Sequence, residues 1–365
     1  MAEPLKNIYN RDFFHIFLKN LPEVPPSVFL DKIFDAQWEN RELKQRMRHI
    51  ALTLGELLPP DYPKAVQILQ QFVARKMPSR RSELNFIHMF IPEFIEMFGL
   101  NDYEHSIKAI EEITQYTSCE FAVRPFLIRY GELMMQQMQD WSLHKEPMVR
   151  RLATEGMRPR LPWAMAVPAL KRDPTPILTI LENLKSDPSE TVRRSVANNL
   201  NDIAKDHPQV VLDTVKNWRG LSPETDWLIR HGSRTLLKRA NPDSLQSFGF
   251  EPNTPIEIQD FVLDKTILRI GDSLPFSFIA KNTSNTDRVK TRLEFGIDYV
   301  KANGKTSRKI FQISERFFDK NEIWTCKKLL SFKDLTTRKH YLGTHNIAII
   351  VNGLEKAVLS FDLIE

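Results

Sequence analysis

The stretch EPMVRRLATEGM (146–157) recurs twice along the chain, as SETVRRSVANNL (189–200) and as TDWLIRHGSRTL (225–236). Alignment on Val149 and on the equivalent Val and Ile of the other two stretches gives offsets of 43 and 37 residues. This spacing is close to the length of one helix pair in HEAT-type repeat proteins. We therefore predict a solenoid of stacked helix pairs, in which the aligned apolar residues face the interior.

The rest of residues 1–240 also has the pattern of helices, because segments such as 41–58 and 64–75 carry apolar residues at three- and four-residue spacing. Near residue 250 this pattern ends. Short runs rich in β-branched and aromatic residues follow it, separated by turn residues. These runs are TILRI (266–270), PFSFIAKN (275–282), RLEFGIDYV (292–300), KIFQISERFF (309–318), HNIAIIV (345–351) and AVLSFDL (357–363).

The C-terminal part is predicted to be an immunoglobulin-like β-sandwich, because roughly seven short strands fit into its last 110 or so residues. Asn352-Gly353 is an Asn-Gly hairpin signal between the last two runs. No cysteine pair marks the antibody type, so this interpretation depends on spacing, and a small barrel also fits it. The predicted fold is thus an α+β multidomain protein: a HEAT-like helical repeat solenoid over 1–248, then an immunoglobulin-like β-domain over 249–365.

The composition is that of a globular protein, with 42% hydrophobic and 27% charged residues in a chain of 365. No apolar run approaches the ~18–20 residues of a membrane span, and the first residues lack the apolar core of a signal peptide. Cys119 and Cys326 are too few for a disulfide framework or a zinc site. We expect a cytoplasmic protein with no membrane partner, no metal and no cofactor.

Positive charge is concentrated in residues 141–240, which hold 17 Lys and Arg against 11 Asp and Glu. Each repeat carries basic residues directly after its aligned apolar position. Stacking would place these residues side by side as a cationic row able to bind a polyanion; they are Arg150-Arg151, Arg193-Arg194 and Arg230-His231. Two alternatives stay open. The excess of positive charge in this region can belong to a solvated helical surface. Arg150 and Arg193 can instead serve hydrogen bonding between repeats.

Glu155 lies six residues after Val149, about 120° away from the apolar face of the helix. It follows Arg151 by four residues and precedes Arg158 by three. An acid in this position usually forms an exposed helix ion pair worth under ~1 kcal/mol. The residues alone favour that interpretation.

Several long stretches of the chain resemble one family. The sequence is similar to the AlkC branch of the bacterial AlkC/AlkD DNA alkylation-repair glycosylases over nearly its whole length. The stretches are LKQRMRHIALTL (43–54), TSCEFAVRPF (117–126), MVRRLATEGMRPRLPWAMAVPAL (148–170), TVRRSVANNLNDIAKDHP (191–208) and LTTRKHYLGTHNIAIIVNG (335–353).

The resemblance implies a monofunctional DNA glycosylase that begins base excision repair. Its expected substrates are cationic alkylated bases, N3-methyladenine and N3-methylcytosine, in double-stranded DNA. Members of this family act without a deep pocket for a flipped base, and their helical repeats curve around the duplex. We expect a monomer that associates with the nucleoid when it is bound to DNA.

The resemblance places the active-site acids at Glu120 and Glu155 and a tryptophan against the deoxyribose at Trp163. Cleavage of the glycosidic bond builds positive charge on the sugar. A carboxylate stabilises that charge and positions a water molecule, and an aromatic face adds cation–π attraction. We expect Glu155 to position the water, with Glu120 sharing or supporting that role. The structural alternatives are a core aromatic for Trp163 and an acid in a first helical turn for Glu120.

Contacts with phosphates are expected from the arginines at and beyond the repeats, and contacts with a DNA groove from a basic loop of the β-domain. Asp202 is included among the expected DNA-binding residues. Two roles stay open for it: a third acid near the active site, or an ion pair with Lys205. The alternative for the basic loop of the β-domain is an ordinary charged hairpin loop that does not contact DNA. The residues are Arg151, Arg158, Arg160, Arg193, Arg194, Arg230 and Arg234 in the helical part, and Arg338, Lys339, His340 and His345 in the β-domain.

Other chemistries find little support, because the chain has no phosphate-binding P-loop, no Gly-rich dinucleotide turn and no serine elbow. The competing function is a non-catalytic HEAT-repeat scaffold that binds DNA or an acidic partner. Such a scaffold has no use for Glu155, since an acid on a phosphate-binding face repels DNA.

Overall fold

The computed structural model describes residues 3–76, 86–238, 242–284, 288–334 and 339–365. The chain forms two compact units, one of residues 1–207 and 220–232, and one of residues 208–219 and 233–365. The predicted boundary at 248/249 therefore does not coincide with this division. The residues around position 250 are hydrogen-bonded to the C-terminal strands. Lys290 Nζ donates to Phe248 O at 2.7 Å, and Asn352 Nδ2 donates to Glu251 O at 2.8 Å.

The helices of the first unit, within the described residues, are α1 (Arg11–Leu18), α2 (Pro26–Ile33), α3 (Leu43–Leu57), α4 (Tyr62–Lys76), α5 (Phe90–Phe98), α6 (Tyr103–Ile113), α7 (Val123–Tyr130), α8 (Glu132–Ser142), α9 (Pro147–Glu155), α10 (Pro168–Arg172), α11 (Thr175–Leu184), α12 (Glu190–Ile203) and α14 (Pro223–Gly232). The second unit contains α13 (Pro208–Trp218), α15 (Arg234–Lys238) and α16 (Pro242–Gln246). No described helix has the length and apolar character needed to span a bilayer.

The three sequence repeats correspond to α9, α12 and α14. Their aligned apolar residues, Val149, Val192 and Ile229, are buried, as predicted. The third repeat differs from the first two, because its helix ends at Gly232. A Cβ at that position would lie 2.9 Å from Leu200 Cβ, so the glycine allows α14 to approach α12 closely.

Arg150 and Arg193 repeat one hydrogen-bonding pattern. Arg150 Nη1 donates to the carbonyls of His144 and Lys145, and Arg193 Nη1 donates to those of Asp187 and Pro188, six and five residues earlier in both cases. Arg150 Nε also donates to Asp187 Oδ2 at 2.5 Å, which links two repeats. These contacts favour the structural alternative for both arginines.

The strands form a sandwich of two sheets, one ordered β1-β3-β6 and the other β2-β8-β7-β4-β5. Buried side chains of both sheets, among them Phe278 and Ile349, form one core. The predicted hairpin at Asn352-Gly353 is confirmed, since both residues have positive φ (46° and 82°) and join paired strands. The strands are β1 (Ile256–Leu263), β2 (Ile267–Arg269), β3 (Ser273–Asn282), β4 (Val289–Val300), β5 (Thr306–Phe318), β6 (Ile323–Ser331), β7 (Gly343–Val351) and β8 (Leu354–Ile364).

Strands β1 and β6 do not correspond to any of the predicted runs. Few of their residues are buried: Ile256 in β1, and Cys326 and Leu330 in β6. Their polar residues, such as Lys327 and Lys328, therefore interrupt the apolar pattern.

Candidate active site

Glu120, Glu155 and Trp163 line one pocket of about 280 Å³ in the first unit. Glu155 is the last residue of α9, Glu120 lies in the turn before α7, and Trp163 follows a Leu161-Pro162 turn. The structure thus brings together the three residues that the resemblance singled out. Apolar side chains form much of the remaining wall: Phe86, Met89, Phe121, Leu161 and Pro162.

Glu155 is held by both of its carboxylate oxygens. Arg158 Nη1 donates to its Oε1 at 2.7 Å, and Ser195 Oγ donates to its Oε2 at 2.5 Å. The residue is only 5% exposed. The interpretation as an exposed helix ion pair is therefore wrong, because α12 covers this end of α9.

Glu120 uses one oxygen for the contacts that position it. Ser118 Oγ donates to its Oε2 at 2.7 Å, and Arg151 Nη2 lies 2.9 Å from the same atom. The same Nη2 lies 3.9 Å from Glu155 Oε1, and Nη1 of Arg151 donates to Ser118 Oγ at 3.1 Å. Arg151 thus lies between the two acids and is closer to Glu120.

Arg158 joins Glu155 to a third acid. Its Nε donates to Asp202 Oδ2 at 2.9 Å, and Lys205 Nζ donates to Asp202 Oδ1 at 2.9 Å. Burial acts to lower the pKa of Arg158, but the charges and hydrogen bonds of Glu155 and Asp202 outweigh it, so the pKa is raised. Both alternatives for Asp202 therefore hold: it pairs with Lys205, and it is connected to the site through Arg158.

Trp163 is an exposed aromatic residue on a strained backbone. Its side chain is 63% exposed, which excludes the alternative of a core aromatic. Its φ of +64° is in the left-handed region, which costs a non-glycine residue about 1–3 kcal/mol. Lys44 Nζ donates to Trp163 O at 2.7 Å and lies 4.9 Å from the centre of the Phe121 ring. Strain of this kind is typical of functional sites.

The predicted cationic row is not a row of free arginines. Arg151 and Arg158 pair with the site acids, and Arg160 pairs with Asp206, with Nη2 donating to Oδ1 at 2.7 Å. Arg194 has an exposed side chain that pairs with Glu190. Arg193 bonds within its own repeat, as described above, and Arg230 and Arg234 are partly buried.

The structure corrects the assignment of three residues as DNA contacts. Asp202 is 2% exposed and is occupied by its two cations. His340 and His345, 4% and 0% exposed, pack against Phe332 in the core of the β-sandwich. Burial lowers the pKa of His345, which favours its neutral form.

The remaining residues of that loop are Lys339, which is exposed, and Arg338, which lies outside the described residues. Across the described ranges, no group of three or more His, Cys, Asp or Glu side chains is arranged to hold a metal ion.

Sequence reasoning missed the hydroxyl groups that fix the acids. Ser195 lies three residues after Val192, on the buried face of α12, and is 2% exposed. A polar residue on an otherwise apolar helical face was the available signal. Ser118 lies two residues before Glu120 and is part of no periodic pattern.

Comparison with known proteins agrees with this architecture. A family model described as DNA alkylation repair enzyme matches residues 68–239. A second model, described as Uncharacterised protein YhaZ, C-terminal Ig-like domain, matches residues 257–365. A protein of Bacillus subtilis (strain 168) named Uncharacterized protein YhaZ is 44% identical over 363 residues, 98% of this chain and 99% of its own.

A solved structure is similar over the full length. The Pseudomonas fluorescens alkylpurine DNA glycosylase AlkC, bound to DNA containing an abasic site analog, is 31% identical to this chain. The comparison covers 100% of both chains, with a TM-score of 0.89.

Proposed function

The chain belongs to the DNA alkylation repair enzyme family, with a helical region like that of AlkC and a C-terminal Ig-like domain, and from this premise we propose that it is a monofunctional DNA glycosylase. Its proposed substrates are cationic alkylated bases in double-stranded DNA, N3-methyladenine and N3-methylcytosine, and the reaction begins base excision repair. The observation that carries this proposal is the presence of two carboxylates and an exposed tryptophan in one pocket.

Departure of the base requires little general-acid catalysis. A base methylated at N3 is already cationic, so it leaves as a neutral molecule without a strong general acid. The catalyst must stabilise the positive charge that develops on the deoxyribose and deliver a water molecule to C1′. Carboxylates next to an apolar wall suit this task, because their charge is weakly screened there.

The two acids are proposed to have different roles. Glu155 is fixed at both oxygens by Arg158 and Ser195, which suits a rigid negative charge beneath the developing cation. Both positioning contacts of Glu120 are at Oε2. We therefore assign water positioning to Oε1 of Glu120, with Glu155 supporting it, which reverses the order of importance that the sequence suggested.

Trp163 is proposed to lie against the sugar of the damaged nucleotide. An aromatic face near a developing cation contributes on the order of 1–2 kcal/mol when water is excluded. The left-handed backbone at Trp163 keeps its ring exposed, and Lys44 holds its carbonyl. A pocket of about 280 Å³ with an open tryptophan also fits a mechanism without capture of the base in a deep cavity.

DNA binding is proposed to use Arg194 and Lys339, which are exposed, with further contributions from Arg160, Arg193, Arg230, Arg234 and Arg338. Contacts of this kind fix the register on the phosphate backbone without reading sequence. Arg151 and Arg158 are proposed to act mainly on the acids, since they pair with Glu120 and Glu155. The protein is proposed to act as a monomer and without a cofactor.

The competing scaffold function predicts DNA binding without chemistry. It gives no reason for two acids to be fixed by serine hydroxyls in the same pocket as an exposed tryptophan. The deciding experiment incubates the protein with methylated and with unmethylated duplexes and measures free base by chromatography. Release of methylated base supports the glycosylase, whereas equal affinity for both duplexes with no release supports the scaffold.

A further inference from the structure

Arg124, near the start of α7, has a guanidinium that is buried inside the first unit. The residue is 1% exposed. Its Nε donates to Met165 O at 2.6 Å, and its Nη1 donates to Gly156 O at 2.8 Å and to Arg158 O at 3.0 Å. A single side chain therefore satisfies carbonyls at both ends of the segment 156–165.

That segment carries the exposed tryptophan of the site. Trp163 lies between Arg158 and Met165, whose carbonyls Arg124 binds, and its own carbonyl accepts from Lys44. The conformation is strained at Trp163, so it persists only if surrounding contacts determine it. Arg124 supplies these contacts from the protein interior.

The same turn of chain holds Glu120. Residues 119–124 are joined by backbone bonds from Val123 N to Cys119 O at 3.2 Å and from Arg124 N to Phe121 O at 3.1 Å. The guanidinium and the Glu120 carboxylate are thus attached to one short, hydrogen-bonded turn. Arg124 therefore connects the turn that carries Glu120 to the segment that carries Trp163.

We propose that Arg124 is a positioning residue for the glycosylase reaction, which holds the segment 156–165 so that Trp163 lies opposite Glu120. This inference rests on the proposed function. Arg124 does not line the pocket, so it acts through the segment that it binds and not by touching the substrate.

Lysine cannot replace arginine in this role. A guanidinium is planar and has five donors in fixed directions, whereas an ammonium is a single point with rotating donors. The three carbonyl acceptors lie on residues up to nine positions apart, and two donor nitrogens of one plane reach them. Burial and the charge of Arg158 lower the pKa of Arg124 to about 10, so the group is still protonated at neutral pH.

Gly156 gives the guanidinium access to one of its acceptors. A Cβ at this position would lie 2.6 Å from Val123 Cγ2, the side chain next to Arg124. The end of α9 and the start of α7 therefore approach each other closely, which brings Gly156 O within reach of Arg124.

The experiment compares Arg124→Lys with a matched control, Arg46→Lys, in the full chain. Arg46 is 2% exposed and also donates to two backbone carbonyls, but these are Lys6 O and Arg41 O, outside the segment 156–165. The first readout is fluorine NMR of protein containing 5-fluorotryptophan, with the Trp163 signal assigned by its loss in Trp163→Phe. We expect Arg124→Lys to shift or broaden that signal, and Arg46→Lys to leave it unchanged.

The second readout is the rate of base release, measured with Arg124→Lys in the native and in the Trp163→Ala background. A displaced segment is expected to lower kcat about 10- to 100-fold in the native background. In the Trp163→Ala background the further loss is expected to be within about twofold, because the two residues act as one unit. Equal losses in both backgrounds would overturn the proposal, as would an unchanged Trp163 signal.

Two other outcomes also test the proposal: variants of Arg124 that do not fold, and a native protein that releases no base. If Arg124→Lys does not fold, Arg124→Gln replaces it, and failure of both variants to fold would overturn the positioning role in favour of a purely structural one. If the native protein releases no base, the proposed function fails, while the fluorine readout still tests whether Arg124 positions Trp163.

Discussion

Arg158 and Asp202 form a buried ion pair, with 2.9 Å between Nε and Oδ2, and both residues are less than 10% exposed. The same guanidinium binds Glu155, so one cation serves two acids of the site. The guanidinium thus supplies both buried carboxylates with a cationic partner, which a buried charge requires.

Replacement of Arg158 by methionine should destabilise the protein strongly. It would leave Glu155 and Asp202 without their shared cation, and removal of one partner of a buried pair typically costs about 3–5 kcal/mol. Urea unfolding followed by circular dichroism measures the loss. Arg194→Met is the control, because its exposed pair with Glu190 is worth under ~1 kcal/mol. Equal losses for both variants would contradict the assigned role of Arg158.

Replacement of Trp163 by glycine should raise the stability of the protein and lower its activity. Glycine accepts a φ of +64° without strain, so we expect unfolding free energy to rise by about 1 kcal/mol while base release falls. The matched control is Trp227→Gly, since Trp227 is also exposed but lies inside α14. There glycine should lower stability by about 1 kcal/mol. A stability loss at Trp163 would show that its ring contributes more to packing than its backbone costs.

Glu96 should make its own contribution to stability fall as the pH rises from about 5 to about 7. Burial, together with the charge of Glu93, raises its pKa from 4.5 to about 7 against the opposing charges of Lys44 and Arg48. In that interval Glu96 is more fully protonated in the folded state than in the unfolded state, so its contribution to unfolding free energy decreases with pH. His88, whose pKa burial lowers to about 4, contributes in the opposite direction.

The variant Glu96→Gln should lose this contribution. Its unfolding free energy relative to the native chain should therefore increase with pH and exceed the native value at pH 8 by on the order of 2 kcal/mol. The exposed Glu112, which accepts a hydrogen bond from Gln70, provides the control Glu112→Gln. Urea unfolding at a series of pH values tests the pair. An unchanged slope in Glu96→Gln would assign the pH dependence to another group.

Arg194 should contribute to DNA affinity but not to chemistry. Its side chain is 59% exposed and pairs with Glu190, whose side chain is 65% exposed. Arg194→Gln is expected to weaken binding of all duplexes to a similar degree and to reduce the salt dependence of log K by about one. Fluorescence anisotropy over a range of salt concentrations measures this. The exposed Arg129 of α7, outside the repeated position, supplies the control Arg129→Gln.

Much of the fold could be predicted from periodicity. The aligned residues of the repeats are buried, α3 and α4 match segments 41–58 and 64–75, and the Asn352-Gly353 hairpin forms as expected. These features depend on local patterns of apolar and turn residues. Strands β1 and β6 were not predicted, because most of their residues are exposed or only partly buried and polar residues interrupt the apolar pattern.

The site could be predicted only in part, because its contacts join distant segments. The resemblance selected Glu120, Glu155 and Trp163, but burial decides what each does. Ser195 reaches Glu155 across 40 residues, and Arg124 reaches Met165 across 41. No spacing rule in a single sequence reveals such pairs. The same limit explains the error at His345, where a basic motif indicated a surface loop and the ring is in the core.

Glu120 and Glu155 are proposed to drive hydrolysis of the glycosidic bond. Single-turnover release of N3-methyladenine from a duplex, compared between the native chain and the double variant Glu120→Gln plus Glu155→Gln, tests it most directly. We expect a rate lowered at least about 1,000-fold, in a variant that circular dichroism shows to be folded at the assay temperature and that keeps its affinity for an abasic-site duplex. Base release at the native rate by the folded double variant would show that these carboxylates are not needed for the reaction.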